Sequence, residues 1–98
     1  MKETSVKRHI RTYLDSLGPS CFHFTQFDPH LDRMICYRGM FIGCEIKRPG
    51  EVNNPTDRQL RTIQRIKNAG GFAFVTDDVA RVQEVIRRYD EIYNAVRS

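Results

Sequence analysis

Two β-rich runs, Asp32 to Tyr37 and Met40 to Lys47, flank the dipeptide Arg38-Gly39, and this spacing restricts the folds open to the chain more than any other feature. Two alternating strands separated by such a pair read as a tight antiparallel hairpin. With Arg38 and Gly39 as the turn, Tyr37 pairs with Met40, and the antiparallel register then sets Asp32 opposite Glu45. A four-residue loop gives the same register. Residues opposed in this way project on one face with Cβ atoms about 4.5–5.5 Å apart, where like charges destabilise the pairing. A hairpin that brings two carboxylates together therefore needs something to compensate them.

The rest of the chain frames this hairpin. Val6, Ile10, Tyr13, Leu14 and Leu17 recur at helical spacing, and Gly18-Pro19 follows, which predicts a helix from about Glu3 to Leu17. Cys21 to Gln26 is short, aromatic and roughly alternating, with the turn-forming Asp28-Pro29 beyond it, and reads as a strand. After the hairpin, Pro49-Gly50 and Asn54-Pro55 mark a loop. From Pro55 to Ala69, Leu60, Ile63 and Ile66 form one apolar stripe with basic residues elsewhere, and Gly70-Gly71 ends this second helix. Phe72 to Val75 is a wholly apolar strand. Asp77-Asp78 then places acid at the start of a last helix carrying Val79, Val82, Ile86, Tyr89, Tyr93 and Val96. The predicted order is α-β-β-β-α-β-α. An antiparallel core extended by a helical crossover gives an α/β fold with a mixed sheet and flanking helices. At 98 residues, residues 1–98 form one domain, small enough that pairing with a second copy would stabilise it.

Strand alternation sorts the hairpin further. Ile42, Cys44 and Ile46 face the core, while Phe41, Gly43, Glu45 and Lys47 face the other way. Lys47 thus lies beside Glu45, where an ammonium can stabilise developing negative charge or help deprotonate an attacking water. Gly43 leaves open space next to Glu45, as a closely approaching backbone or substrate would require. A divalent cation offsets two opposed carboxylates naturally, since Mg²⁺ is held by one or two carboxylates, several waters and phosphate oxygens. The alternative is an ordinary solvated strand face with Asp32 capping a turn. Each residue alone fits that alternative; the combination fits it less well.

Sixteen Lys and Arg against twelve Asp and Glu leave a net charge of +4, which suits a polyanionic partner without specifying one. Arg33, Arg38, Arg48, Arg58, Arg61 and Arg65 cluster in sequence around the proposed site and are the candidate DNA-contacting residues. Cys21, Cys36 and Cys44 lie in apolar runs without CxxC spacing and read as reduced core residues; a zinc site with His9, His23 or His30 fits no structural zinc pattern. No window approaches a membrane span, and the start MKETSVKRHI lacks the apolar core of a signal peptide, so a soluble intracellular protein is expected.

The segment LDRMICYRGMFIGCEIKRPGEVNNPTDRQL resembles the central motif of the VRR-NUC family, a branch of the PD-(D/E)XK nucleases, and NAGGFAFVTDDVARVQEVI is similar to that family's closing strand and helix. The family pattern of an acidic helix start, an Asp-Arg pair, an E-x-K strand and a helical glutamine corresponds to Glu3, Asp32-Arg33, Glu45-Ile46-Lys47 and Gln59. Many members carry Gly and Pro where this chain has His30-Leu31. The resemblance implies a restriction-endonuclease-like fold and Mg²⁺-dependent hydrolysis of DNA, with Mn²⁺ as a substitute. It implies Asp32, Glu45 and the Ile46 backbone carbonyl as metal ligands with Glu3 nearby, and Lys47 and Gln59 as further catalytic residues. It also implies a cytoplasmic homodimer, in a bacterial cell or a phage-infected host, acting on four-way (Holliday) junctions. Cleavage of flaps, single strands or duplex by the same centre, and a non-catalytic DNA-binding module with the same fold, are the alternatives. For Gln59 a capping box with Thr56 is a competing role, and for Glu3 an ion pair with Lys7.

Overall fold

A computed structural model describes residues 2–25 and 31–97. The expected Asp28-Pro29 turn, the end of the first strand at Gln26, and His30 lie outside the described residues. The elements are α1 (Glu3–Ser16), β1 (Cys21–Thr25), β2 (Arg33–Tyr37), β3 (Met40–Ile46), α2 (Asp57–Asn68), β4 (Phe72–Thr76) and α3 (Val79–Arg97), with a 3-10 turn over Gly18–Ser20. The order α-β-β-β-α-β-α matches the sequence expectation, and element ends differ by a residue or two.

The sheet runs β1-β2-β3-β4. β1 and β2 are antiparallel, β2 and β3 form the hairpin with Tyr37 opposite Met40 and Arg33 opposite Cys44, and β3 runs parallel to β4. Arg38 and Gly39 take positive φ of 50° and 85°, as a two-residue hairpin turn that follows the right-handed twist of its strands requires. The crossover from β3 through α2 supplies the parallel pair, so the sheet is mixed.

One face of the sheet carries the larger core. Val6, Ile10 and Leu14 of α1 and Val82, Ile86 and Tyr89 of α3 pack on Ile35, Tyr37, Ile42, Cys44, Ile46 and Phe74. On the other face, Leu31, Met34, Ile63 and Ala73 form a smaller cluster beneath α2, joined by Ile66 and Val75. With both faces covered, β3 is buried from Ile42 through Ile46, and Glu45 is buried with it.

Several sequence expectations are corrected here. A Cβ on Gly43 would come within 2.7 Å of both Ile66 Cδ1 and Leu31 Cδ1, so the space beside it is filled by α2 and the β2 lead-in and is not open to a substrate. Leu60 is 49% exposed, because its neighbour Gln59 is the first-turn side chain aimed at the sheet and Leu60 lies about 100° further round the helix. Val96, placed by periodicity in the α3 stripe, is exposed near the end of that helix. Of the three cysteines only Cys44 is buried; Cys21 is half-buried, and Cys36 is exposed opposite Phe41 and Phe22 on sheet surface that α2 leaves uncovered.

This packing predicts that Ile63→Ala costs about 2–5 kcal/mol of stability, whereas Leu60→Ala stays within about 0.5 kcal/mol. Urea unfolding of the two variants measures both, and equal losses would contradict the packing described.

Candidate metal and phosphoryl-transfer site

Asp32 lies one residue before β2 at the end of the hairpin remote from its turn, and the register places it level with Glu45. The two residues are tied by reciprocal contacts. The Asp32 backbone N–H donates to Glu45 Oε1 at 3.2 Å, and the Ile46 N–H donates to Asp32 Oδ2 at 2.8 Å. Leu31, 2% exposed in the smaller core, anchors the lead-in immediately before Asp32.

The helices and Lys47, just past β3, supply the remaining partners. Gln59 Nε2 donates to Glu45 Oε2 at 2.7 Å, and Lys47 Nζ lies 3.4 Å from the same oxygen. Lys47 Nζ also donates to Gln59 Oε1 at 3.3 Å, closing a triangle among the three side chains. Thr56 and Gln59 complete a capping box at the start of α2, with Gln59 N–H donating to Thr56 Oγ1 and Thr56 N–H donating to Gln59 Oε1. The capping and site roles of Gln59 are therefore not alternatives: its amide oxygen closes the cap while its amide nitrogen holds Glu45. From α1, Lys7 Nζ stands 3.5 Å from Asp32 Oδ1 and 3.3 Å from Glu3 Oε2.

Burial pushes the Glu45 carboxyl above its ordinary pKa, the Asp32 charge adds to the rise, and Lys47 opposes it. Burial alone would lower the Lys7 ammonium, but Asp32 and Glu3 outweigh it and the net shift is upward. The like-charge repulsion expected from the hairpin is thus partly offset within the protein, by Lys47 on one side and Lys7 on the other.

The structure brings Asp32, Glu45, Lys47 and Gln59 together, with Ile46 in the same clasp through its N–H. Glu3 is turned to Lys7 and touches neither carboxylate of the pair. Arg33 is 8% exposed and donates to His23 Nδ1 at 2.7 Å and Thr25 Oγ1 at 3.3 Å, so its guanidinium is held in place by residues of β1. Arg38 sits at the hairpin tip, roughly 20 Å of strand from Asp32. There it pairs with Asp90 at 3.1 Å and lies over the Tyr37 and Tyr93 rings, a bracing role at the opposite end of the molecule's hairpin. Arg48 is exposed beside Lys47 and pairs with Glu51; Arg58, Arg61 and Arg65 are exposed along α2. Lys7 is the site residue that sequence reasoning missed. Its i,i+4 spacing from Glu3 was legible, but only the packing of α1 on the sheet brings it to Asp32.

Among the described residues no group of three or more His, Cys, Asp or Glu side chains gathers to hold a metal ion. The candidate set is smaller: two carboxylates and a strand carbonyl, all hard oxygen donors, a set that suits a cation which keeps several of its waters. The Glu45 carboxyl is raised first by burial and then by the neighbouring Asp32 charge, and a divalent cation at the pair would offset both. Among the described residues, no helix is long and apolar enough to cross a membrane. Comparison with protein-family models, with curated proteins and with solved structures gives no match to this chain.

A carboxyl whose pKa is raised by folding binds its proton more tightly in the native state. Its contribution to stability is fully present below the ordinary carboxylate range and is lost as pH rises through the raised value. In chelator, wild type should therefore lose stability relative to Glu45→Gln as pH rises from about 4 to about 8. Urea unfolding of both proteins across that window measures the difference, and a difference that does not change with pH would contradict the site electrostatics.

Proposed function

We propose that this protein is a metal-dependent endodeoxyribonuclease, a VRR-NUC nuclease of the PD-(D/E)XK superfamily with a restriction-endonuclease-like fold. The observation that carries the reading is the convergence of Asp32 and Glu45 at one end of the β2–β3 hairpin, with Lys47 and Gln59 both on Glu45. Structural ion pairs alone do not require two acids side by side in the sheet with a lysine and a glutamine on one of them; metal-assisted phosphodiester hydrolysis can use that arrangement.

In this reading Asp32, Glu45 and the Ile46 carbonyl would hold Mg²⁺, with Mn²⁺ able to substitute. Bound there, the cation supplies Lewis-acid polarisation of the phosphate and a water of lowered pKa. The protein's own residues then have separate tasks. Glu45, held by Gln59, keeps one carboxylate oxygen directed to the Asp32 side of the site. Lys47, 3.4 Å from Glu45, places a positive charge where the phosphate oxygens gain negative charge as water attacks phosphorus and one P–O ester bond breaks. Gln59 fixes both partners through a helix cap that is already rigid, so its amide costs little to orient. Lys7 Nζ, 3.5 Å from Asp32 Oδ1, offsets the charge of that carboxylate and would have to leave that oxygen for a divalent ion to take it.

Four-way junctions cut by a homodimer are the substrate and assembly proposed, with Arg48, Arg58, Arg61 and Arg65 contacting the backbone. The exposed Arg residues of α2 support the partner's sign of charge. The edge strand β1, with Phe22 69% and Phe24 44% exposed, supports pairing of two copies.

Incubation of the purified protein with labelled four-way junction, flap, duplex and single strand, in Mg²⁺ or chelator, tests this reading. Wild type should cut the junction symmetrically in Mg²⁺ alone, and Glu45→Gln and Lys47→Ala should each lose about 10²-fold or more in rate. Equal cleavage by wild type and Glu45→Gln, or none by either, would overturn it.

A further inference from the structure

A second charged feature lies beside the carboxylate pair, on the face of the sheet covered by α1. Thr4, Lys7, Arg8 and Arg11 of α1, Thr25 of β1 and Arg33 of β2 line an open hollow of about 380 Å³. Among the described residues its walls hold four cationic side chains, two hydroxyls and no carboxylate. Lys7 belongs to both features, since the same ammonium that lines the hollow reaches Asp32.

Arg33 distinguishes this hollow from a solvated basic surface. Its side chain belongs to a residue 92% removed from solvent (8% exposed), and among the described residues no carboxylate pairs with it. Its guanidinium is held instead by neutral acceptors, His23 Nδ1 and Thr25 Oγ1, and its buried Nε has no hydrogen-bond partner among the described residues. Because His23 Nδ1 accepts from Arg33, the ring proton sits on Nε2, which donates to Asp15 Oδ1 at 2.7 Å. Asp15 thus orients the imidazole, and the imidazole orients the guanidinium, and among the described residues no carboxylate oxygen is hydrogen-bonded to Arg33 itself. A buried cation without an adjacent anion is costly to keep and is stabilised when one arrives. An arginine fork fixed in advance, flanked by threonine hydroxyls and two exposed arginines, is the donor set that recognises phosphate.

We propose that this hollow is a phosphate-binding subsite, and that it takes a backbone phosphate of the nucleic-acid strand neighbouring the phosphate held at Asp32 and Glu45. The assignment to a strand rests on the nuclease reading; the phosphate chemistry rests on the hollow alone. The subsite positions the strand, so Arg8, Arg11 and Arg33 are positioning residues, and Lys7 links occupancy of the hollow to the state of Asp32.

Arg8 and Arg11 are exposed, so Arg8→Ala/Arg11→Ala leaves the core intact, and Arg33→Lys keeps the buried charge while removing the fork. Two measurements test the proposal without cleavage, both in chelator. In the first, inorganic phosphate is titrated into ¹⁵N-labelled protein; the Arg33 Nε–H and the Thr25 and Lys7 amides should shift and saturate in wild type, and the two amides should respond at least tenfold more weakly in both variants. No shift at these groups, or an undiminished response in the variants, would overturn the site. In the second, binding of labelled duplex is followed by fluorescence anisotropy over a range of salt. The double variant should bind about tenfold more weakly, with a log–log salt slope shallower by about one to two. Inorganic phosphate should compete with the duplex; saturable phosphate binding with no such competition would overturn the assignment to a strand. If wild type cleaves DNA in Mg²⁺ while the double variant binds duplex normally, the subsite fails and the nuclease reading stands. If nothing is cleaved while phosphate saturates the Arg33 signal, the subsite stands and the nuclease reading fails.

Discussion

The structure depends on a clasp between the open ends of β2 and β3. Asp32 and Glu45 hold one another through backbone as well as side-chain atoms: each strand offers an N–H to a carboxylate on or beside the other. Hydrogen bonds to a charged acceptor are stronger than neutral ones, so the clasp continues the hairpin past its last ladder pair and fixes two acids side by side. Leu31 below it and Gln59 above it then have definite positions to fill. Without the clasp, the approach of α2 to Glu45 and of α1 to Asp32 would have no common target.

Placing two carboxylates together carries an electrostatic cost, and the surrounding elements divide it. Lys47 comes from the same strand as Glu45, Gln59 from the first turn of α2, and Lys7 from α1. Three elements that are distant in sequence therefore meet at one end of the sheet because the same excess charge attracts or requires each of them. Burial, with the Asp32 charge added to it, still raises the proton affinity of Glu45. The meeting of two acids is the physical basis for expecting a cation at the pair, and the cationic lining beside Lys7 is the basis for the phosphate hollow.

Much of this was legible in the chain before folding. The Arg38-Gly39 spacing and the alternation of Ile42, Cys44 and Ile46 determine the hairpin register, and the register determines that Asp32 meets Glu45. The Thr56-to-Gln59 interval announced a capping box, although not that the same amide would also reach Glu45. What stayed hidden depends on contacts between elements. Gly43 read as open space because periodicity does not reveal that Ile66 and Leu31 fill it. Leu60 read as core because a stripe does not reveal which residue of a helix's first turn faces the sheet. Lys7 and His23 were illegible as partners of Asp32 and Arg33, since the first needs the docking of α1. The second needs the β1–β2 register, and the residues between those strands give no turn signal tight enough to set it.

The central claim is that Asp32 and Glu45 share a divalent cation, and location of Mn²⁺ by anomalous diffraction in crystals grown with the ion tests it most directly. The account predicts one anomalous peak within coordination distance of an oxygen from each carboxylate, with the Lys7 ammonium moved off Asp32. Crystals in saturating Mn²⁺ that show Lys7 still seated on Asp32 and no peak between the two acids would contradict it.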